Sequence, residues 1–274
     1  MPLVVCPTPI GNLEDVTLRA LRELGEADLV LCEDTRRTRV LLDRHGVRAR
    51  LRSFHRHNEA RRTAEILPRL EAGERIALAS DAGLPGVNDP GAALIAAALD
   101  RHVEVRVLPG PSAVETALVA SGLVGDRYTF LGYLPRTAAG LERLWAELRG
   151  WSWPAVAFES ARRLPASLAS LAAADPDRPA AVCRELSKRF EEVARGTARE
   201  LADRFRLAPK GEITLVVGGS HGSGDGTGDG ELERALEAVG ELTAAGLPRR
   251  RAVDVVAGLT GVSRNRLYRS SLPS

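Results

Sequence analysis

The residues of this chain that could do chemistry are concentrated in a few glycine- and proline-rich loops. These are PTPIGN (7–12), SDAGLPGVNDPG (80–91), LPGPSA (108–113) and GYLP (132–135). Glycine allows close approach of backbone to a ligand, and proline fixes the chain around it. Such loops can present N–H and C=O groups to a molecule with many polar edges. Tight turns are the competing explanation, but three of the loops directly follow apolar runs that read as strands, where open α/β sheets bind ligands. No G-x-G-x-x-G follows the first strand, no G-x-x-x-x-G-K-[ST] occurs, and the loops contain no lysine, so a nucleoside triphosphate is a poor match. Asp81 and Asp89 would repel phosphate yet accept hydrogen bonds from hydroxyls or an amine, which suits a neutral or cationic small molecule. SFHRHNE (53–59) brings His55, His57 and Glu59 together in sequence, but two histidines at i,i+2 are a weak metal signal. No metal is expected.

These loops punctuate an alternating pattern of short apolar runs and helical segments up to about residue 122. Strands are expected at 3–6, 29–34, 50–54, 75–81 and 103–110, with helices at 16–24, 35–46, 58–73, 89–102 and 112–122. Pro68 is a point of disturbance in the third helix. This is the pattern of an α/β domain with a largely parallel sheet. Later strands at 128–135, 154–160, 179–186 and 211–219 lie closer together, with helices near 140–149, 161–174 and 197–205, and some should pair antiparallel. The expected organisation is therefore an N-terminal α/β domain over 1–124 and a second α/β domain with a mixed sheet over 125–220. A glycine-rich spacer follows over 221–230, then a small helical segment over 231–274 with a helix-turn-helix-like pattern and Ser263 as N-cap.

The 274 residues carry 44 % hydrophobic and 27 % charged side chains, with aromatics at only 4 % and a formal charge of +2. Cores must be built from Leu, Val and Ala, and extensive base stacking is not expected. Lysine occurs only at Lys188 and Lys210; arginine supplies the remaining positive charge. Cys6, Cys32 and Cys183 lie in apolar runs and suit buried free thiols in a reducing compartment. The N-terminus has no basic region and no segment approaches the roughly 18 apolar residues of a membrane span, so a cytoplasmic protein with no membrane role is expected.

Eight ordered blocks together resemble one kind of protein: VCPTPIGNLEDVTLRAL, ADLVLCEDTRRTRVLL, SFHRHNE, ALASDAGLPGVNDPG, VLPGPSAVETALVASGL, FLGYLPR, CRELSKRFEEV and KGEITLVV. They are similar to the 16S ribosomal RNA cytidine 2'-O-methyltransferases of the tetrapyrrole-methylase fold family, over roughly residues 3–220, and LTGVSRNRLYRSSL resembles their terminal segment. The resemblance implies two α/β domains with a cofactor cleft between them, S-adenosylmethionine as methyl donor, and a homodimer. It further implies that the homodimer methylates the ribose 2'-hydroxyl of a cytidine in the decoding region, within the small ribosomal subunit. One departure stands in the loop itself, where the family usually reads D-A-G-T-P and this chain has Leu84.

By the same resemblance the cofactor wall comprises Pro9, Asp81, Ala82, Gly83, Leu84 and Pro85, with Thr116 and Ala117 from the following helix. Tyr133, Leu134, Arg184, Glu185, Leu186, Gly211, Glu212 and Ile213 are added from the second half. Asp81 is suited to the methionine ammonium or a ribose hydroxyl, its competing role being a turn cap. Glu33, Asp34, His57, Asn88 and Lys188 are the candidates for orienting the ribose or taking its proton. Arg36, Arg37, His55 and Arg56, with Arg249, Arg250 and Arg264 of the tail, are the candidates for RNA contact. A porphyrinoid methyltransferase and a nucleic-acid-binding regulator are the rival readings; EDTRR, SFHRHNE and the basic tail favour RNA.

Overall fold

Four-residue apolar runs that lack polar alternation should form strands covered on both faces, and three of them do. In the computed structural model, which describes residues 3–220, 229–260 and 262–271, β1 (Leu3–Cys6), β2 (Leu29–Cys32), β3 (Leu51–Ser53), β4 (Ile76–Ala79) and β5 (Val105–Val107) make one sheet in the order β3-β2-β4-β1-β5. Every pairing in it is parallel. Alternate residues serve opposite faces. Val4, Cys6, Val30, Cys32, Ala77 and Ala79 pack with Ala20 and Leu24 of α1 (Leu18–Glu26) and Leu41 and Leu42 of α2 (Thr35–Arg44). Leu3, Leu29, Leu31, Ile76 and Leu78 pack instead with Ile66 and Leu70 of α3 (Glu59–Glu71) and Leu94 and Ala98 of α4 (Ala92–Asp100). Helices on both faces leave the carboxyl ends of all five strands on one edge, where the loops of interest emerge. Pro68 does not break α3, which runs on past it to Glu71, the Pro68 carbonyl accepting the N–H of Ala72.

After α5 (Ala113–Ser121), a second sheet holds β6 (Thr129–Tyr133), β7 (Ala155–Ser160), β8 (Pro179–Arg184), β9 (Glu192–Thr197) and β10 (Glu212–Val217) in the order β6-β7-β10-β8-β9. Only β6–β7 is parallel; β7–β10, β10–β8 and β8–β9 are antiparallel. Its core includes Trp145 of α6 (Ala138–Leu148), Leu164, Leu168 and Leu171 of α7 (Leu164–Ala174), and Leu201 of α8 (Ala198–Arg204). The strand β9 has no counterpart among the strands expected from sequence. EVARGT is charged, contains glycine and sits at a sheet edge, so the apolar signal of a covered strand is missing.

Helices α9 (Asp229–Ala244), α10 (Arg249–Thr260) and α11 (Arg264–Ser270) share a small core of Ala235, Val239, Ala252, Val253, Val256, Val262 and Leu267. Ser263 occupies the N-cap position of α11 but its side chain makes no capping hydrogen bond. The expected spacer over 221–230 lies largely outside the described residues. The chain divides into two compact units, Met1–Thr116 with Glu185–Glu191, and Ala117–Arg184 with Glu192–Ser274. The break falls inside α5, and the turn after β8 groups with the first unit. All three cysteines are buried and free, and burial pushes the Cys6 thiol up to about 12. Among the described residues no helix is long and apolar enough to cross a membrane.

Candidate active site

Five parallel strands ending on one edge deliver five loops to it, and the loop after β4 is hydrogen-bonded to those after β1, β2 and β3. Thr8 and Gly83 exchange both backbone hydrogen bonds at 2.9 Å, joining the loops after β1 and β4. Thr8 Oγ1 donates to the Ser80 carbonyl (3.0 Å) and Ser80 Oγ to the Gly83 carbonyl (3.0 Å). Gly83 has φ +77 with nothing closer than 3.9 Å to a built Cβ, so conformation rather than space demands glycine there. At Gly110 the demand is space, because a Cβ would stand 2.4 Å from Pro7 Cγ. The loop 80–91 is anchored at its far end by the Gly91 N–H, which donates to Glu59 Oε1 (2.8 Å). Glu59 thus braces a loop, and no group of three or more His, Cys, Asp or Glu among the described residues could hold a metal ion.

The acidic residues meet where the loops after β2 and β4 adjoin. The Asp81 N–H donates to Glu33 Oε1 (3.2 Å), and the Asp34 N–H donates in return to Asp81 Oδ1 (3.0 Å). Asp81 Oδ2 lies 3.3 Å from Arg37 Nη1. Asp81 is therefore a clasp between two strand ends rather than a cap on its own turn. Burial, with the Asp81 charge opposing ionisation, raises Glu33 above the usual carboxylate range although the Asp81 N–H favours its charged form. Burial followed by the charges of Glu33 and Asp81 raises Asp89 from 3.8 to about 7, against the pull of Arg56.

The remaining candidates from the same edge divide by what they already hold. Asp34 caps α2, accepting from the Arg36 N–H (2.9 Å), and binds the Arg36 guanidinium through both oxygens at 3.0 and 2.7 Å. Those bonds hold Asp34 well below the usual carboxylate range, so it is a weak proton acceptor at neutral pH. Arg36 is thereby folded back over its own helix start. Arg56 reaches the Asn88 carbonyl (3.5 Å), and Asn88 itself is exposed with φ +61. His55 pairs with Asn58 at 3.1 Å, while His57 is exposed with its ring 6.0 Å from that of His55. Pro9 and Pro85 are buried in the loop cluster, and Ala82 and Leu84 are half-buried. Thr116 Oγ1 donates to the Ser112 carbonyl (2.6 Å).

The turn Glu185–Glu191 adds a further element to this unit. Glu185 (φ +51) and Ser187 (φ +62) are both non-glycine residues in the left-handed region, a cost on the order of 1–3 kcal/mol each. Ser187 Oγ accepts from the Asn12 N–H (3.1 Å), the Ser187 N–H donates to Glu191 Oε2 (2.5 Å), and Lys188 Nζ lies 2.9 Å from Glu185 Oε1. Leu186 is buried. Gly11 seats the turn, since a Cβ there would lie 2.4 Å from Lys188 Cγ and 2.9 Å from the Leu186 carbonyl oxygen. Gly11→Ala is expected to displace the turn and to destabilise the unit by about 1–3 kcal/mol, the usual range for overpacking. Denaturant unfolding measures that loss.

In the second unit, β6, β7 and β8 end beside the start of β10, with Ile213 opposite both Glu159 and Arg184. Tyr133 is 63 % exposed there and packs edge-on to Phe158, with centroids 5.6 Å apart. Gly211 has φ +103, and Glu212 is exposed beside it. Leu134, Ala117 and Ile213 can serve a cofactor wall only through their backbone, because all three are buried, Leu134 and Ile213 in the main core. Arg184 binds Glu192 (2.8 Å) and the Lys210 carbonyl (3.1 Å). In the helical tail, Arg249 donates to the Ser271 carbonyl (2.6 Å) and Arg264 pairs with Asp254 (2.5 Å), leaving Arg250 exposed.

Sequence reasoning left Asp89 out of the catalytic set. It lies directly before proline and close before α4, which disguises it as a turn residue; only folding brings Glu33 and Asp81 to it.

The description of the tetrapyrrole (corrin/porphyrin) methylases matches residues 2–202. The chain belongs to this family. Within it, the chain is 44 % identical to the ribosomal RNA small subunit methyltransferase I of Mesorhizobium japonicum, over 98 % of its own length and 91 % of the relative. It is 42 % identical to the protein of that name from Thermotoga maritima, over 79 % of this chain and 98 % of the relative. These identities place it among the ribosomal RNA small subunit methyltransferase I proteins of the methylase family. Among solved structures, uroporphyrin-III C-methyltransferase from Thermus thermophilus complexed with S-adenosylhomocysteine shares the methylase fold. Its TM-score is 0.55 at 19 % identity, covering 80 % of this chain and 97 % of that one.

Proposed function

We propose that this chain transfers a methyl group from S-adenosylmethionine to the ribose 2'-hydroxyl of a cytidine in the decoding region of 16S rRNA. It would act in the cytoplasm as a homodimer on the small ribosomal subunit. The observation that carries the reading is the clasp of Glu33, Asp34 and Asp81 on the carboxyl edge of a parallel sheet, near enough to Asp89 for the charges of Glu33 and Asp81 to raise it, in a chain 44 % identical to a protein named for small-subunit RNA methylation.

The donor set fits the cofactor. Loops 7–12, 80–91 and 108–113 hold no lysine of their own, and with the carboxylates of Glu33, Asp81 and Asp89 they suit a ligand that carries an ammonium and a sulfonium, while fixed backbone groups around Gly83 suit an adenosine with many polar edges. Asp81 is the group to hold the ammonium or a ribose hydroxyl, and Ala82, Gly83, Leu84 and Pro85 supply wall. When bound, S-adenosylmethionine supplies a methyl carbon already activated by positive sulfur. The protein's task is then to align the 2'-oxygen, exclude water and receive one proton. Asp34 is committed to Arg36, whereas Glu33 and Asp89 are partly buried carboxylates with raised affinity for a proton. We assign the proton to this pair, with Asp89 as the acceptor poised nearest neutrality. Arg36 and Arg56 are both exposed, and we assign them to phosphates, Arg36 releasing Asp34 to do so.

Incubating purified small subunits with labelled S-adenosylmethionine and mapping the modified ribose tests the reading. Label at the 2'-oxygen of one decoding-region cytidine is expected. Transfer to a porphyrinoid instead, or binding without transfer, overturns it.

A further inference from the structure

Resting on the RNA reading above, we infer that Phe190 is a stacking surface for an RNA base, with Arg189, which lies over its other side, as a phosphate contact. Phe190 is 65 % exposed, and the Arg189 guanidinium carbon lies 5.5 Å from its ring centroid. A single exposed apolar side chain is ordinary on a protein surface. The way this one is held is what sets it apart. It projects from a turn with two non-glycine residues in the left-handed region, Glu185 and Ser187. That turn is fixed by the Lys188 N–H to the Glu185 carbonyl (3.0 Å), the Glu191 N–H to the Lys188 carbonyl (3.1 Å), and the Asn12 N–H to Ser187 Oγ (3.1 Å). Strained backbone persists only where its surroundings over-determine it, and such segments gather at functional sites.

Arg189 lies over one side of the ring and the ring is otherwise largely exposed, so the tip offers its open face to a base with a planar cation behind it. Single-stranded RNA is read in just these ways: unstacked bases lie on aromatic rings or guanidinium planes, and phosphates take arginine. In a chain with only five phenylalanines, three tyrosines and three tryptophans, one aromatic on a constrained turn can hold a nucleotide beside the target while the ribose is presented. The Lys188–Glu185 pair at 2.9 Å adds hydrogen-bonding groups at the base of the same turn.

The test compares full-length wild type, Phe190→Ala and Phe190→Trp. For Phe190→Ala, KM for small subunits should rise about 10-fold, the usual scale of one lost stacking contact. KM for S-adenosylmethionine and the melting temperature should stay unchanged. Phe190→Trp should restore the wild-type KM. Its added emission, over the background of Trp145, Trp151 and Trp153, should be quenched by a single-stranded decoding-region oligonucleotide and not by an abasic one. Equal KM in wild type and Phe190→Ala, equal loss in both variants, or quenching that ignores the bases overturns the inference. If wild type methylates no RNA, the functional reading fails, and the quenching measurement still decides whether Phe190 stacks.

Discussion

Asp81→Ala is expected to lower methyl transfer by about 100-fold or more, chiefly through lost affinity for S-adenosylmethionine. The carboxylate accepts the Asp34 N–H at 3.0 Å and faces Arg37 at 3.3 Å. Its removal orphans that N–H, frees Arg37 to swing, and leaves Glu33 without the return half of the clasp. A charge-assisted hydrogen bond contributes about 1.5–3 kcal/mol, and orphaning its partner costs more, which is a factor of tens to hundreds in binding. Asp81→Asn keeps one acceptor oxygen and loses the charge, so its defect should be smaller if shape dominates and as large if the ammonium is the main partner. Calorimetry with S-adenosylmethionine separates these cases. Arg36→Ala is the control: its guanidinium lies on the Asp34 carboxylate, whereas Asp34 joins the clasp through its backbone N–H, so cofactor affinity should be unchanged while RNA affinity falls modestly. Equal loss of cofactor binding in the two variants would refute the division of roles.

Asp89→Asn should abolish the rise in turnover through neutral pH. With its carboxyl raised to about 7, wild-type kcat should climb as Asp89 ionises and level off above that point. The asparagine variant should be flat and about 100-fold to 1000-fold slower at the plateau, the usual contribution of a positioned base. Stability should move the opposite way. In the unfolded chain Asp89 ionises near 3.8, whereas the folded chain holds its proton to about 7. Its contribution is therefore fully present below 3.8 and is lost as pH rises through 7. Asp89→Asn should accordingly be more stable than wild type at pH 8, by about 2 kcal/mol once solvent access is allowed for, and indistinguishable near pH 3.5. Denaturant melts at the two pH values measure this. A wild-type rate profile without a step near neutrality would remove Asp89 from the mechanism.

The first sheet was legible from sequence because its strands are covered on both faces, and LVVC, LVLC and IALA say so without ambiguity. The second was legible only in part. Its β10 lies between β7 and β8 although it comes last in sequence, and β9 is a charged edge strand, so neither pairing leaves a local trace. At the site, the loops stood out by their glycines and prolines. The Glu33–Asp81–Asp89 cluster depends on β2 and β4 being neighbours, which the order of elements along the chain does not fix. Leu134 and Ile213 show the converse, residues next to eye-catching motifs whose side chains belong to the core. The turn 185–191 stood out in sequence as part of CRELSKRFEEV, but its left-handed backbone and its seat against Gly11 and Asn12 of the first loop leave no local trace.

The late position of β10 also bears on how the protein is made. During synthesis, β7 and the β8–β9 hairpin leave the ribosome with no strand between them, because their shared partner, Glu212–Val217, has not yet been translated. Until it arrives, each presents an open hydrogen-bonding edge along apolar sequence, the usual template for aberrant pairing between chains. Nascent chains stalled before residue 212 are therefore the ones that should depend most on chaperones, while the first sheet, complete by Val107, can already be closed.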